Sequence, residues 1–302
     1  MVYVMGSVFG NAKAYFSMKA KINLQENDQL YVLGNIFDGN DEHPEQCLII
    51  LEDIMKNNNI TLIVGDHEFW HYILFRGDKV PAKFQTQANI EIRGMCPTME
   101  PLCDFLSTLS QEDKEHYFNY ILSCQPHKII RIKDQLYFLS SAYPLKVDFW
   151  GCTKNKTIKE DEYLLRMFEF PSYYYNKDYF PNFVADLKKG RLSFEDKHLK
   201  YYEGLENAIV ITSFSSSYSV IKKVNEEKGP GYRKYNYSTL NTIPYGDYQR
   251  VITDDKNNIS IYCGCCENQY DVQNCVLKPT LACLRIDDDN NITVIYKHNL
   301  YE

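Results

Sequence analysis

The first third of the chain alternates short apolar runs with amphipathic stretches. Val2-Tyr3-Val4-Met5 is a β-prone run that stops at Gly6, and after Gly10 the apolar Tyr15, Met18 and Ile22 recur at helical spacing. Leu30-Tyr31-Val32-Leu33 repeats the run and ends at Gly34. Pro44 then precedes a stretch in which Cys47, Leu48, Leu51, Ile54 and Met55 share one helical face. Ile60-Thr61-Leu62-Ile63-Val64 repeats the run again and ends at Gly65. Strands recurring every ~30 residues, with helices between them, predict right-handed βαβ units and a parallel sheet core. Ligands of such sheets gather at the carboxyl ends of the strands, here residues 6–10, 34–40 and 65–68.

Further along the rhythm changes. Residues 101–122 read as mostly helical, and Ile129-Ile130-Arg131-Ile132 and Leu136-Tyr137-Phe138-Leu139 flank Lys133-Asp134-Gln135 as a hairpin would. A stretch near 160–205 is rich in Tyr and Phe and broken by Pro171, Pro181 and Gly190, which predicts a cap or insertion. Ala208-Ile209-Val210-Ile211 reads as a strand, and the polar residues 222–246, with Gly229-Pro230-Gly231, as a loop. Ile259-Ser260-Ile261-Tyr262, residues 280–286 and residues 292–296 are β-like runs separated by turn-rich segments, so an antiparallel second sheet is expected. At 302 residues and 44% hydrophobic content the chain suits one large α/β domain spanning 1–302.

Charge narrows the partners. The net charge is -7, from 33 basic and 40 acidic residues spread along the chain, and offers no basic face to a phosphate backbone; no nucleic-acid partner is expected. The first ten residues lack a basic region followed by an apolar run, and no apolar stretch reaches ~18 residues, so a cytoplasmic protein without a membrane partner is expected. Ten cysteines include Cys263, Cys265, Cys266 and Cys275 without paired Cys-x-x-Cys spacing, which favours reduced thiols over a zinc site. Of 25 tyrosines, Tyr163, Tyr173, Tyr174, Tyr175 and Tyr179 fall in the insertion, either as a partner or base-stacking surface or as a cap packed on the sheet edge.

The glycine-flanked strand ends carry a resemblance. Tyr3-Val4-Met5-Gly6-Ser7-Val8-Phe9-Gly10, Leu33-Gly34-Asn35-Ile36-Phe37-Asp38-Gly39 and Val64-Gly65-Asp66-His67-Glu68 resemble, in order and spacing, three motifs of the calcineurin-like metallophosphoesterases: Gly-Asp-x-His-Gly, Gly-Asp-x-x-Asp-Arg-Gly and Gly-Asn-His-Glu. Phe138-Leu139-Ser140-Ser141-Ala142 resembles the Val-His-Ala-Gly segment and Ile211-Thr212-Ser213-Phe214-Ser215 the Gly-His-Thr segment. The closing strands look like those of bacterial serine/threonine-phosphatase-like members, and the whole is also similar to the symmetrical dinucleoside-tetraphosphatases. The resemblance spans nearly the whole chain and implies a four-layer αββα sandwich of two mixed β-sheets.

The departures from the family pattern carry the functional expectation. Two divalent ions (Mn, Fe, Zn or Mg) need carboxylates and imidazoles to polarise a phosphoryl oxygen and activate water. Where the resemblance places those ligands, this chain has Ser7, Phe9, Asn35, Ser140 and Phe214; Asp66 stands where the family has asparagine. Phenyl rings coordinate nothing, so no metal cofactor is expected. His67 and Asp38 match the family's leaving-group histidine and its partner aspartate, and the arginine after that aspartate is replaced by Gly39. With Asp66 they form either a remnant acid/base group or a hydrogen-bonded trio kept to satisfy the turns. His43, His71, His116, His127, His198 and His298 have no such partner in the sequence and read mostly as surface residues. The expectation is a pseudophosphatase with a binding or regulatory role toward an unidentified protein or small molecule. One alternative is a metal-dependent phosphoesterase acting on phosphoproteins or dinucleoside polyphosphates, with a single ion on Asp66, Asn35 and His67. The other is a structural subunit paired with an active homologue.

Overall fold

The computed structural model describes residues 1–38, 43–76, 82–90, 92–93, 99–125, 127–141, 208–213, 252–253, 258–261 and 280–298, with residues 66, 76, 82–84, 87, 252–253, 258, 260, 280 and 297–298 described by their backbone alone. Phe214, the Tyr-rich stretch near 160–205, the loop 222–246 and Cys263, Cys265, Cys266 and Cys275 lie outside the described residues.

The three apolar runs at the start are strands β1 (Val2–Met5), β2 (Gln29–Val32) and β3 (Ile60–Leu62), paired in parallel. Between them lie helices α1 (Ala12–Ile22) and α2 (Gln46–Lys56). Asn11 caps α1 by accepting the Ala14 N–H at 2.8 Å, and Asn23 ends it in a left-handed conformation with φ 48°. Tyr15, Met18 and Ile22 face inward from α1, as do Cys47, Leu48, Leu51 and Ile54 from α2. Helices α3 (Asp66–Arg76), α4 (Ala82–Ile90), α5 (Glu100–Thr108) and α6 (Gln111–Ser123) follow, and Ser110 caps α6.

Strands β4 (His127–Ile132) and β5 (Gln135–Ser140) form the expected hairpin, turning at Lys133 with φ 49°. A second sheet assembles as β4-β5-β6-β8-β7, with β6 (Ile209–Thr212), β7 (Ile252–Thr253) and β8 (Asn258–Ser260). In it β5, β6 and β8 run parallel. The closing strands β9 (Thr280–Ile286) and β10 (Ile292–His298) correct the expectation of an antiparallel second sheet. They join the first sheet, in the order β10-β9-β1-β2-β3, with β9 antiparallel to β1. The run of period-two apolar residues marks a strand but does not name its neighbour. The protein is therefore α/β with two mixed sheets.

Alternation along the first sheet builds two cores. Tyr3, Met5, Leu30, Val32, Ile60, Leu62, Leu281 and Cys283 pack against the helices, while Val4, Tyr31, Leu33, Leu284 and Ile286 meet Tyr137, Leu139, Ile211 and Ile259 of the second sheet. The described layers are thus helices, first sheet, second sheet. Strands β9, β1 and β2 are covered on both faces.

This stacking brings the carboxyl ends of β1, β2 and β3 against those of β5, β6 and β8, and the backbone there leaves little space. Gly34 has φ +60°, and a Cβ on it would lie 2.5 Å from the Gly65 nitrogen and 2.9 Å from the Ile63 carbonyl oxygen. Gly34→Ala should therefore cost about 2 kcal/mol or more, from left-handed strain plus the forced retreat of the Gly65 turn. Chemical denaturation checks this.

Candidate functional site

The site grows from five segments that follow strands. Ser7, just after β1, is buried; its N–H donates to Ser213 Oγ at 2.5 Å, and its own Oγ lies 2.6 Å from Ser213 Oγ and 3.3 Å from the Leu33 carbonyl oxygen. Ser213 follows β6, so this contact joins the two sheets. Asn35, after β2, has φ 53°, and its Oδ1 accepts from Ser141 Oγ at 3.4 Å. Ser141 follows β5, so a second contact joins the sheets. Gly65 leaves room for this arrangement, since a Cβ there would fall 1.9 Å from Asn35 Oδ1.

Beneath these turns lies a buried carboxylate. Glu68 Oε1 accepts the N–H groups of Ile36, at 2.5 Å, and Phe37, at 3.0 Å, while Oε2 accepts those of Asn35, at 3.0 Å, and Gly65, at 2.7 Å. Burial pushes the Glu68 carboxyl up, and the converging N–H groups pull it back. Asn35 in turn uses its carbonyl to accept the Phe9 N–H at 2.8 Å, which holds Phe9 at φ 49°. The ring of Phe9 is buried in the helix-side core and stands edge-on to His67, with centroids 5.8 Å apart.

His67 and Asp38 form the pair anticipated from the sequence: Nδ1 of His67 lies 2.8 Å from Asp38 Oδ2, with the two side chains 11% and 5% exposed. The other carboxylate oxygen, Asp38 Oδ1, is buried without a hydrogen-bond partner among the described residues. Cys47 reaches the Asp38 carbonyl oxygen at 3.7 Å, and burial pushes its thiol pKa up. Asp66 is the first residue of α3, beside His67. The side chain of Ser140, at the end of β5, is buried on the face of the second sheet turned away from the first, in register with Thr212 and His127. Its neighbour Ser141 is the residue that meets Asn35.

Ser141, Ser213 and the anchoring role of Glu68 were not read from the sequence. The available signal was the pair of small polar residues, Ser140-Ser141 and Thr212-Ser213, closing each of two apolar strands. His71 is a correction to the reading of the other histidines as surface groups. It is buried, one turn after His67, with Nδ1 2.8 Å from the His67 carbonyl oxygen and Nε2 3.2 Å from that of Met99. His43, by contrast, is exposed. Cys47, Cys103, Cys124 and Cys283 are free thiols.

Among the described residues no group of three or more His, Cys, Asp or Glu side chains is arranged to hold a metal ion. Among them too, no helix is long and apolar enough to cross a membrane. No family model and no curated protein matches the chain. Among solved structures it is similar to a hypothetical protein, PH1004, from Pyrococcus horikoshii OT3, at 12% identity and a TM-score of 0.42, over 98% of this chain and 87% of that one.

Two predictions follow from the site's construction. Glu68→Gln leaves one acceptor oxygen for four N–H groups and sets an amide N–H₂ against the others, so a loss of about 2–4 kcal/mol is expected in equilibrium unfolding. Burial lowers the His71 pKa to about 4 from an ordinary 6.5, so between those values the unfolded chain binds more protons than the folded one. The stability from neutral His71 is complete above pH ~6.5 and falls by up to about 3 kcal/mol as pH drops to ~4. His71→Gln should flatten the stability–pH curve over that window.

Proposed function

We propose that this chain is a metallophosphoesterase-like protein whose pair of metal ions has been exchanged for hydrogen bonds, a pseudophosphatase with a binding or regulatory role. The observation that carries the reading is the pair of contacts between the sheets, Ser7 with Ser213 and Asn35 with Ser141. In the family, the ions sit among these same strand-end turns and tie them together. Here neutral hydroxyl and amide groups do the tying, and they do so by satisfying one another.

The donor set does not fit two divalent ions. Ser7 Oγ engages another hydroxyl and a backbone carbonyl, Phe9 presents a phenyl ring, and Asn35 supplies a neutral oxygen; none offers the negative charge that offsets two adjacent cations. The buried Asp38–His67 pair persists as a remnant of the family's proton-transfer residues. The same reading takes the architecture as a four-layer αββα sandwich. Burial of Phe138 and Val210 on the outer face of the second sheet supports a further layer there. An unidentified protein or small-molecule partner is part of this reading.

Purified protein should hold no stoichiometric manganese by elemental analysis and should hydrolyse an aryl phosphate no faster than background. The Ser7→Asp, Asn35→Asp double variant should lose about 3 kcal/mol or more, because a carboxylate at position 7 would face the Leu33 carbonyl in a buried setting. Should the double variant instead gain thermal stability with manganese and begin to cleave phosphate esters, the hydrolase reading replaces this one.

A further inference from the structure

Taking the site as free of metal ions, we propose that it now prefers a primary ammonium group, on a small aliphatic amine, to a phosphate. Two divalent cations would give such a site its attraction for phosphate. Without them, what remains is acidic. Asp38 and Glu68 occupy one buried neighbourhood, both close enough to act on the Cys47 thiol. Asp66 lies in the sequence between Gly65, whose N–H Glu68 holds, and His67, which Asp38 holds. Among the described residues the partners of Asp38 and Glu68 are the His67 ring and backbone N–H groups, with no lysine or arginine. A phosphate dianion entering this neighbourhood meets like charge at low dielectric.

The unfilled hydrogen-bonding capacity also has one sense. Among the described residues Asp38 Oδ1 is a buried carboxylate oxygen with no donor, while Oδ2 lies 2.8 Å from His67 Nδ1. That vacancy asks for a donor, and an ammonium supplies donors with a positive charge. The site remains in touch with solvent, because the His67 side chain is 11% exposed.

The test follows the ring resonances of His67 by NMR in the full chain during titration with methylammonium, inorganic phosphate and ethylene glycol. Methylammonium should give a saturable shift, with phosphate and glycol giving none in the same range. In Asp38→Asn the methylammonium affinity should fall about tenfold, the loss expected of a charge-assisted hydrogen bond, while the exposed-site variant Asp134→Asn keeps it. An Asp38→Asn curve identical to wild type overturns the proposal. So does a phosphate curve tighter than the methylammonium curve, or glycol binding as tight, which would show that charge is irrelevant. The wild-type comparison among the three probes stands even if the Asp38 variant fails to fold. Stoichiometric manganese in the same sample sinks the ion-free reading itself. Binding of neither manganese nor methylammonium sinks the ammonium assignment and leaves the ion-free reading standing.

Discussion

Glu68 draws four backbone N–H groups from two separate turns onto one buried carboxylate. A turn in left-handed conformation exposes consecutive N–H groups on one side, and without an acceptor those donors would be buried and unpaired. The carboxylate answers that demand for the turns after β2 and β3 at once. The third turn depends on it at one remove, since the Asn35 carbonyl holds the Phe9 N–H. Placing the acid at the start of α3 also sets it near the positive end of the helix dipole, which offsets part of the cost of its burial. Ser7, Asn35 and His67 can meet their partners only because this acid fixes the backbone that carries them.

On this scaffold the polar groups sort into two kinds. Those between the sheets, Ser7, Ser213, Asn35 and Ser141, are neutral and pair with one another, so they are dry cross-links. Those on the helix side, Asp38, His67 and Glu68, are ionisable and sit beside the ring of Phe9 and the backbone of Phe37. The first kind needs nothing from outside the chain. The second retains an acceptor, Asp38 Oδ1, with no donor among the described residues.

Much of this was legible in the sequence because the governing signals are local. Val2 to Met5 followed by Gly6, and the two repeats of that pattern, gave β1 to β3 and their turns, since period-two apolar runs and left-handed glycines are decided within a few residues. Asp38 beside His67 came from motif position. What stayed hidden depends on tertiary approach. Ser141 and Ser213 look like ordinary polar strand ends until the second sheet arrives. His71 looks like one histidine among seven until Met99 closes over it. β9 carries the same alternation whether it joins one sheet or the other, and its choice rests on the edge that β1 leaves open.

That choice bears on how the protein is made. Val2 pairs with Ile286, so the interior of the first sheet, between β1 and β10, is filled by a strand synthesised long after β1, β2 and β3. Until then a nascent chain carries β1, β2 and β3 with one flank of β1 bare, a flat apolar edge offering unpaired backbone groups to any passing strand. Such high contact order predisposes the chain to slow closure and to mispairing between neighbours on a polysome, and any truncation that removes β9 makes that exposure permanent.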